Sequence, residues 1–295
     1  MRKNRVLDCV LGIMRTSLAI AALGIFHCLP LLAAPEKGAD FKPDRTIEYK
    51  KAKGKPLSLN VFLPPGWKAT DKRPAAVFFF GGGWVGGKPV QFYPQADHFA
   101  KRGMVGISAD YRTKGSHKTG PKECVEDGKS AVRWVRSHAA ELGIDPEKIA
   151  VGGGSAGGHV AAASTFCPGF DAAGEDPKVS TRANALLLFN PVFDNGPDGG
   201  WGHAAVKDYW QTISPAHNIS KPAPPTVIFL GTKDHLIPVS TAERFKKTVE
   251  ELGSRCDLNL YQEAGHGFFN KEPELTKTIA ATDEFLVSLG WLKKP

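Results

Sequence analysis

Dense positive charge is missing from this sequence. Over 295 residues, 38 Lys and Arg stand against 30 Asp and Glu, but no run of Lys and Arg is longer than three. Part of the surplus falls in residues 1–34, which carry Arg2, Lys3, Arg5 and Arg15 against Asp8. Proteins that bind nucleic acids usually gather basic residues in one patch. The charge distribution therefore argues against a nucleic-acid partner.

Cysteine is scarce. Three of the five cysteines follow residue 34, namely Cys124, Cys167 and Cys256. None of them has a second cysteine or a histidine at the spacing of a metal site, so we predict no metal. Their spacing is compatible with one disulfide and a free thiol, or with no disulfide at all. No motif for a cofactor is evident, and we expect none.

After the amino terminus, no segment is apolar enough to cross a membrane. The apolar run at residues 17–26 follows a basic start, is interrupted from His27 onward and is closed by Ala33 and Ala34. This order is typical of a secretory signal peptide, and the run is too short for a spanning helix. We predict a signal peptide over residues 1–34 and a secreted or periplasmic protein. An uncleaved anchor is the alternative.

The rest of the chain alternates strand patterns with helix patterns. Period-two alternation predicts two half-buried edge strands, at residues 47–50 and 57–62. Further strands, mostly continuous apolar runs of the kind buried on both faces of a sheet, are predicted at residues 75–80, 104–109, 149–151, 185–189, 226–230 and 258–261. Helices are predicted at residues 91–102, 122–140, 156–166, 239–252 and 273–289. This order predicts an α/β fold with a mainly parallel sheet of about eight strands, in one domain over residues 35–295.

One short motif carries a chemical prediction. Gly153-Gly-Ser155-Ala-Gly157 fits the pattern Gly-x-Ser-x-Gly and lies directly between a predicted buried strand and a predicted helix. That is the context of a nucleophile elbow, a sharp turn that exposes the serine hydroxyl above the edge of the sheet. A glycine-rich turn that binds phosphate is the alternative. We interpret Ser155 as a nucleophile.

A serine hydroxyl needs a base that takes its proton and an acid that orients the base. His266 is the predicted base, because it lies in a glycine-flanked loop just after a predicted strand. His159 competes by sequence proximity, but its helix carries it away from Ser155, and we interpret it as a packing residue. Asp234 follows a buried strand and is the predicted acid, with Asp194 as the alternative.

The developing oxyanion of an ester needs N–H donors. The backbone N–H of Ala156, directly after the nucleophile, is one predicted donor. Gly82 and Gly83 lie in the glycine-rich loop after the strand at residues 75–80 and are predicted to supply the others. Glycines allow the backbone of such a loop to approach a substrate closely.

Together these residues resemble the α/β-hydrolase superfamily, and more narrowly the hormone-sensitive-lipase-like carboxylesterases. The nearest branch holds bacterial acetylxylan and feruloyl esterases. Supporting strings, in the family's order, are Gly82-Gly-Trp-Val-Gly86, Ala109-Asp-Tyr-Arg112, Gly231-Thr-Lys-Asp234 and Gly265-His-Gly-Phe268. One position departs from the family: Phe80 stands where a histidine usually precedes the glycines, and it can pack there but cannot hydrogen bond through its side chain.

The resemblance implies a serine esterase that works through an acyl-enzyme, and the predicted signal peptide makes it a secreted one. Its partner would be a small-molecule or polysaccharide ester, with a short acyl or aryl group. Larger members of that family carry a helical cap before the glycine loop, but the segment before Gly81 is short here and has strand patterns, so we expect an open site in which residues 191–221 are the only sizeable cover. Trp84, Trp201 and Phe268 are candidate substrate-binding residues. An exopeptidase of the same fold and a non-catalytic carbohydrate-binding member are the alternatives.

Overall fold

The computed structural model describes residues 41–294, which contain one eight-stranded sheet. Its strands are β1 (Arg45–Ala52), β2 (Lys55–Phe62), β3 (Arg73–Phe79), β4 (Val105–Ala109), β5 (Ile144–Gly154), β6 (Ala185–Phe189), β7 (Thr226–Gly231) and β8 (Cys256–Tyr261). Their order across the sheet is β1-β2-β4-β3-β5-β6-β7-β8. The first two strands pair antiparallel and the other six run parallel. The predicted α/β-hydrolase fold is confirmed.

Helices connect these strands and cover both faces of the sheet. They are α1 (Tyr93–Lys101), α2 (Lys114–His117), α3 (Pro121–Ser137), α4 (Ala156–Phe166), α5 (His203–Val206), α6 (Trp210–Ile213), α7 (Val239–Glu251) and α8 (Glu274–Ser288). Short 3-10 turns occupy Pro89–Phe92, Pro215–His217 and Phe268–Asn270. The long loop predicted at residues 191–221 thus contains α5, α6 and one 3-10 turn.

Strand β3 shows how the sequence builds the two cores. Successive side chains of a strand point to opposite faces. Val77 and Phe79 accordingly belong to the buried cluster that also contains residues of α3, α4 and α7, whereas Ala76 and Phe78 belong to the cluster that contains residues of α1 and α8. All four side chains are fully buried. A strand covered by helices on both faces has to be apolar throughout, which is why the run is continuous.

The prediction of two edge strands is half wrong. Strand β1 lies at the edge of the sheet, but β2 pairs with β1 on one side and with β4 on the other. The polar residue Asn60 of β2 is buried, and its amide donates to the Ser108 carbonyl oxygen of β4 at 3.2 Å. Alternation of apolar and polar residues indicates that one face of a strand is polar. An internal strand can also have a polar face when its polar groups are hydrogen bonded.

Two open questions of the sequence have structural answers within the described residues. Cys124, Cys167 and Cys256 are buried free thiols, so no disulfide links them. No helix within residues 41–294 combines the length and the hydropathy that a membrane crossing requires. The predicted signal peptide at residues 1–34 lies outside the described residues.

Candidate active site

Ser155 occupies a strained turn between β5 and α4. Its backbone has φ 53° and ψ −119°, a conformation that non-glycine residues seldom adopt. The helix approaches the neighbouring strand so closely that a Cβ atom on Gly157 would lie 2.1 Å from the Phe79 carbonyl oxygen. The glycines of the motif are therefore required by packing. The strain points the Ser155 side chain out of the turn, as in a nucleophile elbow.

A hydrogen-bond relay joins the three predicted triad residues. Ser155 Oγ lies 2.8 Å from His266 Nε2, and His266 Nδ1 lies 2.7 Å from Asp234 Oδ2. The three residues follow β5, β8 and β7, whose carboxyl ends meet at one edge of the parallel sheet. The topology of the sheet brings together residues that are 111 and 32 positions apart in the chain.

The carboxylate of Asp234 is fixed from both sides. Its side chain has no solvent exposure. One oxygen, Oδ1, accepts the backbone N–H groups of Leu236 and Ile237, each at 2.9 Å. The other oxygen is thereby aimed at His266 Nδ1. A carboxylate in this place favours the tautomer that leaves the Nε2 lone pair facing Ser155.

The alternatives considered from the sequence lie elsewhere. Asp194 accepts the Gly196 N–H at 2.7 Å and lies within 4 Å of the His217 and Arg244 side chains, away from His266. His159 is fully buried, and its Nε2 is 3.0 Å from the Ile213 carbonyl oxygen. Burial lowers the pKa of His159 to about 4, so this ring is neutral and serves packing.

Two of the predicted oxyanion donors belong to residues that share a cavity with Ser155, and the third belongs to the next residue in the chain. Gly82 has φ 128° and Gly83 has φ 63°, conformations that favour glycine. Both line the same cavity as Ser155. Within residues 41–294 the backbone N–H groups of Gly82, Gly83 and Ala156 donate to no backbone acceptor. Ala156 also opens α4, where the helix dipole favours negative charge.

The glycine loop is held by contacts that the sequence did not reveal. The Tyr111 hydroxyl donates to the Phe80 carbonyl oxygen at 2.6 Å, and the two rings stack. The Gly81 N–H donates to Gln91 Oε1, also at 2.6 Å. These bonds fix the loop where Phe80 replaces the family's histidine. Tyr111 lies in Ala109-Asp-Tyr-Arg112, one of the segments that resemble the family, whereas no feature of the sequence pointed to Gln91.

Asn190 is a further site residue that sequence reasoning missed. It directly follows β6, and its Oδ1 accepts the Gly267 N–H at 3.0 Å. Its Nδ2 lies 3.4 Å from His266 Nε2. A polar residue directly after a buried apolar strand was the available signal, because that is where this fold places its site residues.

The cavity over Ser155 has a volume of about 250 Å³ and is small for a ligand site. Its lining residues are Gly81, Gly82, Gly83, Gln91, Ser155, Asn190, Trp201, Leu236, His266, Gly267, Phe269 and Asn270. It is a mixed surface, with apolar walls and the three carboxamides of Gln91, Asn190 and Asn270.

Of the three candidate substrate-binding aromatics, the structure places only Trp201 in this lining. Trp84 is 3% exposed and packs behind Trp201, with ring centroids 5.0 Å apart. Phe268 packs on Tyr261 instead, at 4.8 Å. Its neighbour Phe269 takes the place at the cavity, because the 3-10 turn directs consecutive side chains to different sides.

The described residues offer no set of side chains that could bind a metal ion. Among residues 41–294, no three His, Cys, Asp or Glu side chains are grouped so that they could hold a metal ion. The polar groups over Ser155 are an imidazole, backbone N–H groups and carboxamides. A strained serine, an oriented imidazole and free N–H donors at the carboxyl edge of this sheet define the site architecture of the α/β-hydrolases.

Comparisons with known proteins agree with that class. The BD-FAE family model matches residues 59–182, and the Dienelactone hydrolase family model matches residues 199–295. Carboxylesterase NlhH of Mycobacterium tuberculosis is 36% identical over 266 residues, which cover 83% of this chain and 81% of that protein. The probable carboxylic ester hydrolase LipM of the same organism is 29% identical over 240 residues, which cover 73% of this chain and 54% of that protein.

Solved structures of esterase 2 from the planctomycete Thermogutta terrifontis are also similar. The propionate-bound structure has a TM-score of 0.82 and 42% identity, covering 87% of this chain and 98% of that one. The structure phosphorylated by paraoxon has a TM-score of 0.80 and 43% identity, covering 85% and 96%. The chain therefore belongs to the hormone-sensitive-lipase-like esterases of the α/β-hydrolase superfamily. It spans about half the length of several curated relatives, LipM among them.

Proposed function

We propose that this protein is a carboxylic ester hydrolase that uses Ser155 as its nucleophile. The observation that carries the proposal is the relay from Ser155 Oγ through His266 to Asp234, at 2.8 and 2.7 Å. Both distances are those of good hydrogen bonds, and they connect a nucleophile, a base and an orienting acid in sequence.

The reaction follows from this geometry. Ser155 Oγ attacks the ester carbonyl carbon while His266 Nε2 takes the hydroxyl proton. The tetrahedral intermediate collapses as the bond to the alcohol oxygen breaks, and His266 gives the proton to the leaving alcohol. The acyl group then remains on Ser155 as an ester. Asp234 stabilises the imidazolium that forms between the two proton transfers.

The oxyanion would be bound by three backbone donors. The N–H groups of Gly82, Gly83 and Ala156 have no backbone acceptor among the described residues and are available for this task. Donors held in advance at the site of developing charge require no reorganisation during the reaction. The loop that presents Gly82 and Gly83 is fixed by Tyr111 and Gln91.

The relatives support ester hydrolysis as the activity. The relatives NlhH and LipM carry the names carboxylesterase and probable carboxylic ester hydrolase, and the similar Thermogutta protein is an esterase. That esterase has been captured in a form phosphorylated by paraoxon. A reaction with paraoxon needs an activated nucleophile, and Ser155 is the residue of this chain placed to supply one.

We propose short acyl groups as the preferred substrates. The cavity of about 250 Å³ lies below the usual range for ligand pockets. Propionate and butyrate occupy structures of the similar Thermogutta esterase. An acyl series of p-nitrophenyl esters tests the proposal, because kcat/KM should fall beyond butyrate. Acetylated polysaccharide remains our proposal for the natural source of such esters.

Export completes the proposal. The predicted signal peptide at residues 1–34 would deliver the catalytic domain outside the cytoplasm, where polysaccharide esters are found. Sequencing the amino terminus of the protein from a secreting host tests this step. A terminus directly after Ala33 or Ala34 is expected, and a chain that still begins at Met1 would contradict it.

Hydrolysis of p-nitrophenyl acetate by the wild type and by Ser155→Ala tests the activity itself. The wild type should turn over and the variant should fall to the background rate. Activity on aminoacyl anilides without activity on esters would favour an exopeptidase. Binding of xylan without any ester turnover would favour a non-catalytic carbohydrate-binding protein.

A further inference from the structure

Asn190 is fixed in an unusual backbone conformation beside the triad. It has φ 34°, which favours asparagine and glycine, and it has no solvent exposure. Its backbone N–H donates to the Phe229 carbonyl oxygen of β7 at 2.7 Å. The residue is thus anchored to the sheet, and its side chain reaches toward the loop of His266.

The orientation of the Asn190 carboxamide follows from its hydrogen bonds. The Gly267 N–H is a donor, so the atom that it contacts at 3.0 Å has to be the carbonyl oxygen Oδ1. The NH₂ group is then the end that lies 3.4 Å from His266 Nε2. Ser155 Oγ is closer to the same nitrogen, at 2.8 Å.

We propose that Asn190 is a positioning residue that holds His266 in place while Ser155 is acylated. This inference rests on the proposed acyl-enzyme. In the free enzyme the Ser155 hydroxyl donates to Nε2, and the contact from Asn190 is secondary. Acylation converts Oγ into an ester oxygen without a proton, so Ser155 can no longer donate. Asn190 then remains as the protein donor next to Nε2.

Deacylation needs Nε2 at that moment. A water oxygen attacks the acyl carbonyl carbon as Nε2 takes one of its protons, and the tetrahedral intermediate then breaks its bond to Oγ. The proton passes from Nε2 to Oγ, and the carboxylic acid leaves. A ring that rotates away during the acyl-enzyme stage would have to return before water can react, which slows this half of the reaction alone.

Other polar side chains of the cavity are placed differently. Gln91 is bonded to Gly81 through its carbonyl oxygen, and Asn270 donates to the Gly267 carbonyl oxygen. Among the described residues, Ser155 and Asn190 are the two whose side chains come within hydrogen-bond distance of His266 Nε2. The proposed role therefore belongs to Asn190 and not to the carboxamides as a group.

Stopped-flow kinetics with p-nitrophenyl acetate tests the proposal on the full chain. The key variant is Asn190→Gly, because glycine tolerates the positive φ and removes the side chain that carries the carboxamide. We expect kcat and KM to fall together by about threefold to tenfold, the range for loss of one neutral hydrogen bond. Their ratio kcat/KM, which reports acylation, should stay near the wild-type value, and the initial burst should become more prominent.

Two further variants separate positioning from loop support. Asn190→Asp keeps an oxygen acceptor for the Gly267 N–H but removes the donor next to Nε2, so it should slow deacylation as Asn190→Gly does. Asn270→Ala removes a bond to the same turn without touching His266. It should keep the wild-type ratio of the acylation rate to the deacylation rate.

The outcomes distinguish this inference from the proposed function. A Ser155→Ala variant that hydrolyses the ester as fast as the wild type would contradict the proposed function. An acyl-enzyme in the wild type and in Asn190→Gly, with kcat/KM falling as much as kcat in Asn190→Gly, would overturn only the role of Asn190. Wild-type deacylation in Asn190→Asp would likewise overturn it and reduce Asn190 to an anchor for Gly267.

Discussion

The Tyr111 hydroxyl donates to the carbonyl oxygen of Phe80 at 2.6 Å, while the two aromatic rings stack with centroids 4.1 Å apart. This pair connects the end of β4 to the glycine loop after β3. It restrains the loop although the Phe80 side chain cannot hydrogen bond, because the backbone carbonyl oxygen of Phe80 accepts the Tyr111 hydroxyl.

Removing that hydroxyl tests whether it positions the loop. We expect Tyr111→Phe to lower kcat/KM for p-nitrophenyl acetate by about tenfold to a hundredfold, because a small displacement of the oxyanion donors is costly. The free energy of unfolding should fall by about 1–3 kcal/mol, since the Phe80 carbonyl oxygen loses a buried partner. Tyr93→Phe is the matched control, since no hydrogen bond of its hydroxyl is found within residues 41–294, and should behave as the wild type.

Replacing Asp234 tests the hydrogen-bond relay from Ser155 through His266 to this acid. Asp234→Asn keeps the shape of the side chain and an acceptor for the Leu236 and Ile237 N–H groups. Its NH₂ group would face His266 Nδ1 and favour the tautomer whose Nε2 carries the proton. We expect kcat to fall by about 10⁴-fold with little change in the melting temperature. Asp194→Asn removes the alternative acid, and a comparable loss there would contradict the assignment.

The close packing of the nucleophile elbow predicts that alanine is tolerated at Gly86 but not at Gly157. In Gly157→Ala the new Cβ would lie 2.1 Å from the Phe79 carbonyl oxygen, so strand and helix have to separate. We expect the free energy of unfolding to fall by about 3 kcal/mol and activity to be lost. Gly86→Ala meets no atom within 4 Å and should change stability by about 0.5 kcal/mol or less. Urea denaturation measures both, and equal effects would contradict the account.

Asp110 predicts a pH-dependent stability. Burial, with a smaller contribution from Asp127, raises the pKa of the Asp110 carboxyl from 3.8 to about 6, although the Tyr111 N–H opposes the shift. The folded protein binds this proton more tightly than the unfolded chain does. Ionisation therefore disfavours folding above pH 6, and the cost disappears as pH falls toward 3.8.

The variant Asp110→Asn should therefore be more stable than the wild type at pH 8, by at most about 3 kcal/mol. The difference should shrink through pH 6 and vanish near pH 4. Thermal unfolding of both proteins across this range measures it. A difference that stays constant with pH, or that grows toward acid, would show that ionisation of Asp110 is not its cause.

The fold was predictable because its strands are buried on both faces. The run at residues 185–189 became β6 without any change of bounds, since a continuous apolar stretch between polar loops has few other structures. The position of β2 was not predictable in the same way. Its alternation describes one face, while its partners β1 and β4 are determined by the topology of the whole sheet.

The triad was predictable for a related reason. In a parallel sheet, residues that follow strands gather at one edge, so the Gly-x-Ser-x-Gly motif at Ser155 and the positions of Asp234 and His266 after predicted strands were enough to bring the three together. Asn190 and Gln91 depend on hydrogen bonds whose partners the sequence does not mark. The choice between Phe268 and Phe269 depends on one short 3-10 turn, whose side-chain directions emerge only with its dihedral angles.

Peptide mapping after inactivation by paraoxon identifies the nucleophile directly. We expect one diethylphosphoryl group per molecule, carried by Ser155, with loss of esterase activity in proportion to labelling. The variant Ser155→Ala should stay unlabelled and inactive while it unfolds at a temperature near that of the wild type. Labelling of another residue together with loss of activity, or full activity in the variant, would contradict Ser155 as the nucleophile.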